Sequence, residues 1–84
     1  MELAYITDPG HGWLLVTTGQ LEQLGMGPEN FSRYSYRYND VLALEEDSDM
    51  SLFLAEYERQ RGEMPLIKAR HLERDAFVRD WERL

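Results

Sequence analysis

Cysteine is absent from this chain of 84 residues, and lysine occurs only once, at Lys68. The absence of cysteine excludes disulfide bonds, thiolate catalysis and thiolate metal ligands, and it fits a reducing compartment. No apolar run approaches the ~18–20 residues that a membrane-spanning helix needs. The amino-terminal segment also lacks the basic start and apolar core of a secretory signal. We therefore expect a cytoplasmic protein with no membrane partner.

Motifs for catalysis and for cofactors are missing as well. No Ser or Thr stands in a nucleophile-elbow context, and no glycine-rich loop precedes a helix carrying the lysine of a phosphate site. His11 and His71 are the only histidines, which leaves too few ligands to predict a metal site. The sequence predicts a non-enzymatic protein without metal or cofactor. The enzymatic alternative is a minimal hydrolase that uses His11 with neighbouring carboxylates.

The formal net charge of −7 is unevenly distributed along the chain. Residues 1–49 hold nine acids and two bases, whereas residues 50–84 hold seven of each and are neutral. The densest acidic run consists of Glu45, Glu46, Asp47 and Asp49, with Asp40 shortly before it. Such a surface repels nucleic acid. It attracts an arginine- or lysine-rich groove on another protein, including one that normally receives nucleic acid.

Two interpretations of this acidic run stay open. Side chains of an extended chain recur every ~3.3 Å, near the ~3.4 Å spacing of charges along one DNA strand, so one interpretation is mimicry of a row of phosphates. The simpler one is that Asp47, Ser48 or Asp49 caps a following helix and the other carboxylates lie near its positive end. Capping leaves Glu45 and Glu46 without a role.

Alternating tyrosines form a second pattern. Along residues 31–38, Tyr34, Tyr36 and Tyr38 fall on one face of a strand, with Arg33 and Arg37 on the other. Net charge argues against a stacking platform for single-stranded nucleic acid. Aromatic residues that alternate along a strand more often form a packed face of a sheet. If the face is exposed, it becomes a protein-binding surface, in which tyrosine and arginine are the usual anchors.

Strands are predicted where apolar or alternating runs meet turn residues. Residues 3–7 and 13–17 flank a loop at residues 8–12 that contains two glycines and a proline. Residues 31–38 and 41–44 form a predicted hairpin around Asn39 and Asp40. Residues 65–69 are expected to be an extended edge segment, because Pro65 is unfavourable in a sheet centre.

Three helices are predicted. The first is short, is capped by Thr17 or Thr18 with Gln20 completing a capping box, and is stopped by Gly25 or Gly27. The second begins at Met50 and ends at Gly62, because apolar residues recur there at helical spacing. The third runs from about His71 onward, with its apolar side formed by Phe77, Val78, Trp81 and Leu84. We therefore expect one α+β domain over residues 1–84, a small antiparallel sheet of four to five strands with two or three helices on one face.

Several segments carry a likeness to known sequences: residues 8–14, Leu24-Gly25, residues 32–36, residues 44–49 and Leu52-Phe53. Together they resemble a family of short uncharacterised proteins of bacteriophages and bacterial mobile elements. Ser48 stands where that pattern has cysteine, and the end of the chain matches poorly. The family has no established activity, so the resemblance implies a phage context only, in which the protein would lie in the cytoplasm of the host cell. Many small acidic phage proteins disable host defence complexes by occupying nucleic-acid grooves.

The acidic charge predicts a partner with a basic surface, and the resemblance implies that the chain is a small phage or mobile-element protein whose partner is a nucleic-acid-handling host complex, which it would inhibit as part of a host defence. It is not expected to bind nucleic acid directly. The alternative is a structural or assembly protein that self-associates through its aromatic strand or its C-terminal helix. The predicted partner-binding residues are Tyr34, Tyr36, Tyr38, Asp40, Glu45, Glu46, Asp47 and Asp49.

Overall fold

A six-stranded mixed sheet forms the centre of the structure, a computed structural model that describes all 84 residues. The strands are β1 (Glu2–Thr7), β2 (Gly12–Thr17), β3 (Tyr36–Tyr38), β4 (Val41–Glu45), β5 (Leu66–His71) and β6 (Glu82–Arg83). Their order across the sheet is β5-β1-β2-β4-β3-β6. All neighbouring strands are antiparallel except β1 and β5, which are parallel.

The predicted α+β class is confirmed, but the expectation of a purely antiparallel sheet of four to five strands is wrong. The chain leaves β4, forms helix α2 (Asp49–Arg61) and returns as β5, which pairs in parallel with β1 at the far edge. A parallel return needs a crossover of about a dozen residues or more, and α2 supplies it. The strand that follows Pro65 is an edge strand, as predicted.

Both α-helices begin and end close to where the local sequence predicts. Helix α1 (Thr18–Glu22) starts with a capping box, in which Gln20 N–H donates to Thr17 Oγ1 at 3.1 Å and Thr17 N–H donates to Gln20 Oε1 at 2.9 Å. Helix α2 stops at Gly62, whose φ of 75° is left-handed and whose N–H donates to Glu58 O at 2.9 Å. Neither helix has the length and apolar character needed to cross a membrane.

The sheet has two differently covered faces. We call the face under α1 and α2 the first face. Its core consists of Leu3, Leu14, Val16, Leu21, Leu24, Leu42, Leu44, Phe53 and Tyr57. We call the opposite side the second face. Its smaller cluster consists of Ile6, Trp13, Tyr36, Ala43, Ala76 and Val78. Strands β1, β2 and β4 therefore bury apolar side chains on both faces, with period two.

The prediction of a helix from His71 onward is wrong. His71 is the last residue of β5, and the C-terminal segment, residues 72–84, forms a 3₁₀ turn at Phe77–Asp80 followed by β6. Ala76 N–H donates to Asp8 Oδ2 at 2.9 Å, and Leu84 N–H donates to Ser35 O at 3.1 Å. Because such backbone donors find partners far along the chain, the weak helical preference of a short segment is overridden. The segment instead covers part of the second face.

The strand predicted over residues 31–38 is confirmed only for its last three residues, Tyr36–Tyr38. Before it, Pro28–Asn30 forms a 3₁₀ turn and residues 31–35 run as a loop. The cause is Asp49, whose Oδ2 accepts from Ser32 N–H at 2.9 Å and also from the Ser35 hydroxyl. These bonds hold the loop against the start of α2, so that it does not continue the sheet.

Candidate functional site

A cleft of about 350 Å³ opens on the second face, beside the ends of β2 and β4. Its aromatic lining consists of His11, Trp13, Tyr34 and Tyr36, and its charged and hydroxyl lining consists of Glu45, Asp47, Ser48, Arg79 and Arg83. The volume is near the lower end of the ~300–1,000 Å³ typical of ligand pockets. The cleft is therefore large enough for one side chain or a small group. It brings together Tyr34, Tyr36, Glu45 and Asp47 of the predicted partner-binding set.

A buried ion pair builds one wall of the cleft. The side chain of Asp8 is fully buried, and its Oδ2 accepts from Arg79 Nε at 2.6 Å while its Oδ1 accepts from Arg79 Nη2 at 3.0 Å. The same carboxylate accepts from Ala76 N–H, Gly10 N–H and His11 N–H. The Arg79 hydrogen bonds, helped by these backbone donors, hold the Asp8 pKa far below its usual range. Asp8 thus ties the C-terminal segment to the loop between β1 and β2.

Arginines cover two of the aromatic rings in the cleft. The Arg79 guanidinium carbon lies 5.3 Å from the centroid of the Trp13 ring, and that of Arg83 lies 4.7 Å from the centroid of Tyr36. Both distances are within the ~6 Å of a cation–π contact. Trp13 is 1% exposed and meets Tyr36 edge to face with centroids 6.2 Å apart. Its indole Nε1 is buried and has no hydrogen-bond partner within the protein.

Glu45 lies at the end of β4 and is only 8% exposed. Its Oε2 accepts from Asp47 N–H at 3.0 Å, and its own N–H donates to Ser35 Oγ at 2.9 Å. Burial raises the pKa of the Glu45 carboxyl, and the bond from Asp47 N–H only partly offsets that rise. No lysine, arginine or histidine nitrogen lies within 4.0 Å of this carboxylate. A buried ionisable group without a counter-ion, at the wall of a cleft, is a candidate for function.

The rest of the acidic run points in other directions. Glu46, the next residue along, lies on the first face, where its Oε2 accepts from the Tyr5 hydroxyl at 2.5 Å. Burial, followed by this bond to Glu46, raises the pKa of Tyr5 to about 12. Asp49 is 5% exposed and accepts from Ser32 and Ser35. Of the predicted acids, Asp47 and Asp40 are exposed to solvent.

Neither interpretation of the run describes this geometry fully. Ser48 precedes α2 but makes no side-chain cap, and Asp49 binds two serines of the preceding loop instead of capping the helix. Because the carboxylates of Glu45 and Glu46 lie on opposite faces and Asp49 is buried, the four groups do not form one surface row. The run makes no ion pair, however, so it is not neutralised by the arginines of the C-terminal segment.

The tyrosines divide into one buried and two exposed rings. Tyr36 is 8% exposed, whereas Tyr34 and Tyr38 are 59% and 57% exposed. Tyr38 contacts Trp81 with ring centroids 5.7 Å apart, and Trp81 contacts Phe77 at 5.6 Å. Tyr38, Trp81 and Phe77 form an aromatic strip at the surface of the second face. The strip and the cleft together are termed the docking face below.

The predicted partner-binding set lacks five of the nine cleft residues: His11, Trp13, Ser48, Arg79 and Arg83. The sequence places His11 in the loop at residues 8–12 and Trp13 in the strand that follows, and neither position marks a cleft. Arg79 and Arg83 belong to the segment for which the sequence predicts a helix. Only the β6 pairing and the bonds to Asp8 bring them to the cleft. No local signal in the sequence marks either contact.

No group of three or more His, Cys, Asp or Glu side chains in the structure is arranged to hold a metal ion. Comparisons of the chain with protein-family models, with curated proteins and with solved structures find no match. The resemblance to short phage proteins therefore stays a prediction, and functional inference rests on the geometry of the docking face.

Proposed function

We propose that this protein is a non-enzymatic binding protein that attaches its docking face to a basic surface of another protein. The supporting observation is the juxtaposition, in one cleft, of Glu45 and Asp47, two carboxylates that form no ion pair, and an exposed tyrosine ring, Tyr34. Carboxylates of this kind attract a cationic surface, and tyrosine supplies large contact area at low entropic cost.

The overall charge favours the same class of partner. With a net charge of −7, the protein approaches a basic surface faster at low salt than at high salt, because salt screens the attraction. A protein that handles nucleic acid presents such a surface. Since the carboxylates do not form one row, recognition rests on charge and aromatic anchors, without imitation of phosphate spacing.

The aromatic strip gives the apolar part of this proposed contact. Phe77 is 45% exposed and Tyr38 is 57% exposed, and both contact the half-buried Trp81. Exposed aromatic rings in contact with one another are typical of the centre of a protein interface, where water is excluded on binding. The strip adjoins the cleft through β3, so one partner surface can cover both.

Charge reversal of exposed acids tests the proposal. Reversal of Glu45 or Asp49 is unsuitable, because both are buried and a lysine there would unfold the protein. The Asp40→Lys/Asp47→Lys double variant changes exposed residues only: Asp47 lines the cleft, and Asp40 lies in the turn that follows Tyr38 of the aromatic strip. Proteins captured from a bacterial host lysate at low salt are identified, and the affinity of each purified partner is measured by titration calorimetry at two salt concentrations.

A matched control separates the docking face from net charge. The Glu22→Lys/Glu63→Lys variant carries the same change in charge at exposed positions on and after the helices. The proposal expects the Asp40/Asp47 variant to lose most of its affinity and the control to lose little. Equal affinity of the two variants, or binding that does not weaken with salt, would refute it.

A second candidate function is self-association, and the exposed aromatic strip is the observation that favours it. A second copy could cover Tyr38, Trp81 and Phe77 around a two-fold axis. Light scattering coupled to size-exclusion chromatography distinguishes the two functions. A mass that stays at one chain across concentrations counts against self-association. A dimer that Phe77→Ser converts to a monomer supports it.

A further inference from the structure

The cleft already accommodates guanidinium groups of the protein itself. Arg79 covers the Trp13 ring and Arg83 covers the Tyr36 ring, with carbon-to-centroid distances of 5.3 and 4.7 Å. Arg79 is also bound by both carboxylate oxygens of Asp8. The shape and polarity of this region therefore suit planar cations, since a guanidinium stacks on aromatic faces and donates in its own plane.

One carboxylate and one ring in the cleft are left without such a partner. Glu45 is 8% exposed, lines the cleft and has no cation within 4.0 Å, although Arg79 and Arg83 line the same cleft. Tyr34 is 59% exposed and makes no aromatic or cation–π contact. Asp47 adds an exposed carboxylate beside them. A buried carboxylate is destabilised by its loss of hydration, and a bound cation would relieve that cost.

We infer that the cleft is a receptor for a single arginine side chain of the partner, whose guanidinium binds the Glu45 carboxylate and stacks on Tyr34. This inference rests on the proposed function, because it names the group of the basic partner that the docking face recognises. An anionic ligand is disfavoured there, since Arg79 is engaged by Asp8, Arg83 donates to Arg33 O and stacks on Tyr36, and the ligand would face both Glu45 and Asp47. A lysine side chain lacks the planar group that stacks and donates in two directions.

A small probe tests the inference without the partner. N-acetyl-arginine amide is titrated into the isotopically labelled protein, and backbone amide and Trp13 indole shifts are followed by NMR. N-acetyl-citrulline amide serves as the control ligand, because it has nearly the same shape and no charge. We expect saturable shifts at the cleft residues with the arginine probe and none with the citrulline probe.

Two variants test whether Glu45 and Tyr34 are the residues that bind the arginine probe. Glu45→Gln removes the charge without changing the shape and is expected to weaken probe binding at least about tenfold. Tyr34→Ala alters only an exposed side chain, so it keeps the fold and should also weaken binding. Glu22→Gln, which removes an exposed charge on α1, should leave binding unchanged.

The outcomes separate this inference from the proposed function. Equal binding of the arginine and citrulline probes, or no effect of both Glu45→Gln and Tyr34→Ala, overturns the arginine receptor. If the arginine probe does not bind while a basic partner still associates through Asp40 and Asp47, the receptor is wrong and the proposed function stands. If neither the probe nor any basic partner binds, both fail.

Discussion

Replacement of Asp8 by alanine should be one of the most destabilising single changes in this protein. The carboxylate is fully buried and accepts five hydrogen bonds, two from Arg79 and one each from Gly10, His11 and Ala76. Through Ala76 and Arg79 it holds the C-terminal segment on the second face. Its loss would therefore loosen both the fold and one wall of the cleft.

The magnitude follows from what Asp8→Ala leaves behind. Breaking a buried ion pair by removing one partner costs about 3–5 kcal/mol. Because Arg79 is 30% exposed, its guanidinium can be hydrated once Asp8 is removed, which reduces the free-energy cost of leaving it unpaired. The Ala76 N–H stays buried without a partner, which costs about 1–3 kcal/mol. We expect a loss of about 3 kcal/mol from a total that for a domain of this length is roughly 4–13 kcal/mol.

Urea unfolding at pH 7, followed by tryptophan fluorescence, measures this loss, since Trp13 is 1% exposed and lies beside Arg79. The matched control is Asp75→Ala. Asp75 is 88% exposed and its Oδ1 lies 4.0 Å from Arg79 Nε, so its removal should cost less than about 0.5 kcal/mol. A loss below about 1 kcal/mol for Asp8→Ala, or equal losses for both variants, would refute the reasoning from burial.

Three further predictions concern pH. The Asp8 pKa is lowered in the folded state, so the unfolded state binds more protons than the folded state below about pH 5. The free energy of unfolding, measured with urea, should therefore fall as the pH is lowered, and Asp8→Ala should show a smaller fall. The pKa of Tyr5 is raised to about 12, so the free energy of unfolding should decrease as the pH rises from about 10 towards 12. In a titration followed by tyrosinate absorbance, the Tyr5→Phe variant should lack the corresponding high-pH step. Burial raises the Glu45 pKa, which penalises the ionised form above its ordinary pKa of about 4.3, so Glu45→Gln should leave urea stability at pH 7 unchanged or higher. A clear loss in Glu45→Gln would show that this carboxylate is structural.

The elements that the sequence predicts well are those with a local cause. Helix α2 follows from apolar residues at helical spacing and from Gly62, and α1 follows from the capping box of Thr17 and Gln20. The strand segments around β1, β2 and β4 follow from their apolar runs and flanking turn residues. In each case the residues that specify the element lie within a few positions of one another.

The C-terminal segment is predicted wrongly because its partners are distant. The segment has apolar residues at a spacing compatible with a helix: Phe77, Val78, Trp81 and Leu84. However, Arg79 in the same segment donates hydrogen bonds to Asp8, which lies 71 residues earlier in the chain. Likewise, Asp49 binds Ser35 and shortens the predicted β3. Propensity within a short segment is worth less than these buried charge-assisted hydrogen bonds.

For the candidate site, the sequence by itself determined that the protein is acidic, lacks thiol chemistry and carries its excess negative charge in residues 1–49. It also supplied the residue types of Glu45, Asp47 and Tyr34. The predicted strand ends at residue 44, so the positions of Glu45 and Glu46 on opposite faces came only from the structure, in which the alternation continues to the end of β4 and beyond it. Only the tertiary structure decided which of those faces is packed under helices and which forms a cleft. That choice depends on strand order and on where the C-terminal segment docks, and long-range pairing determines both.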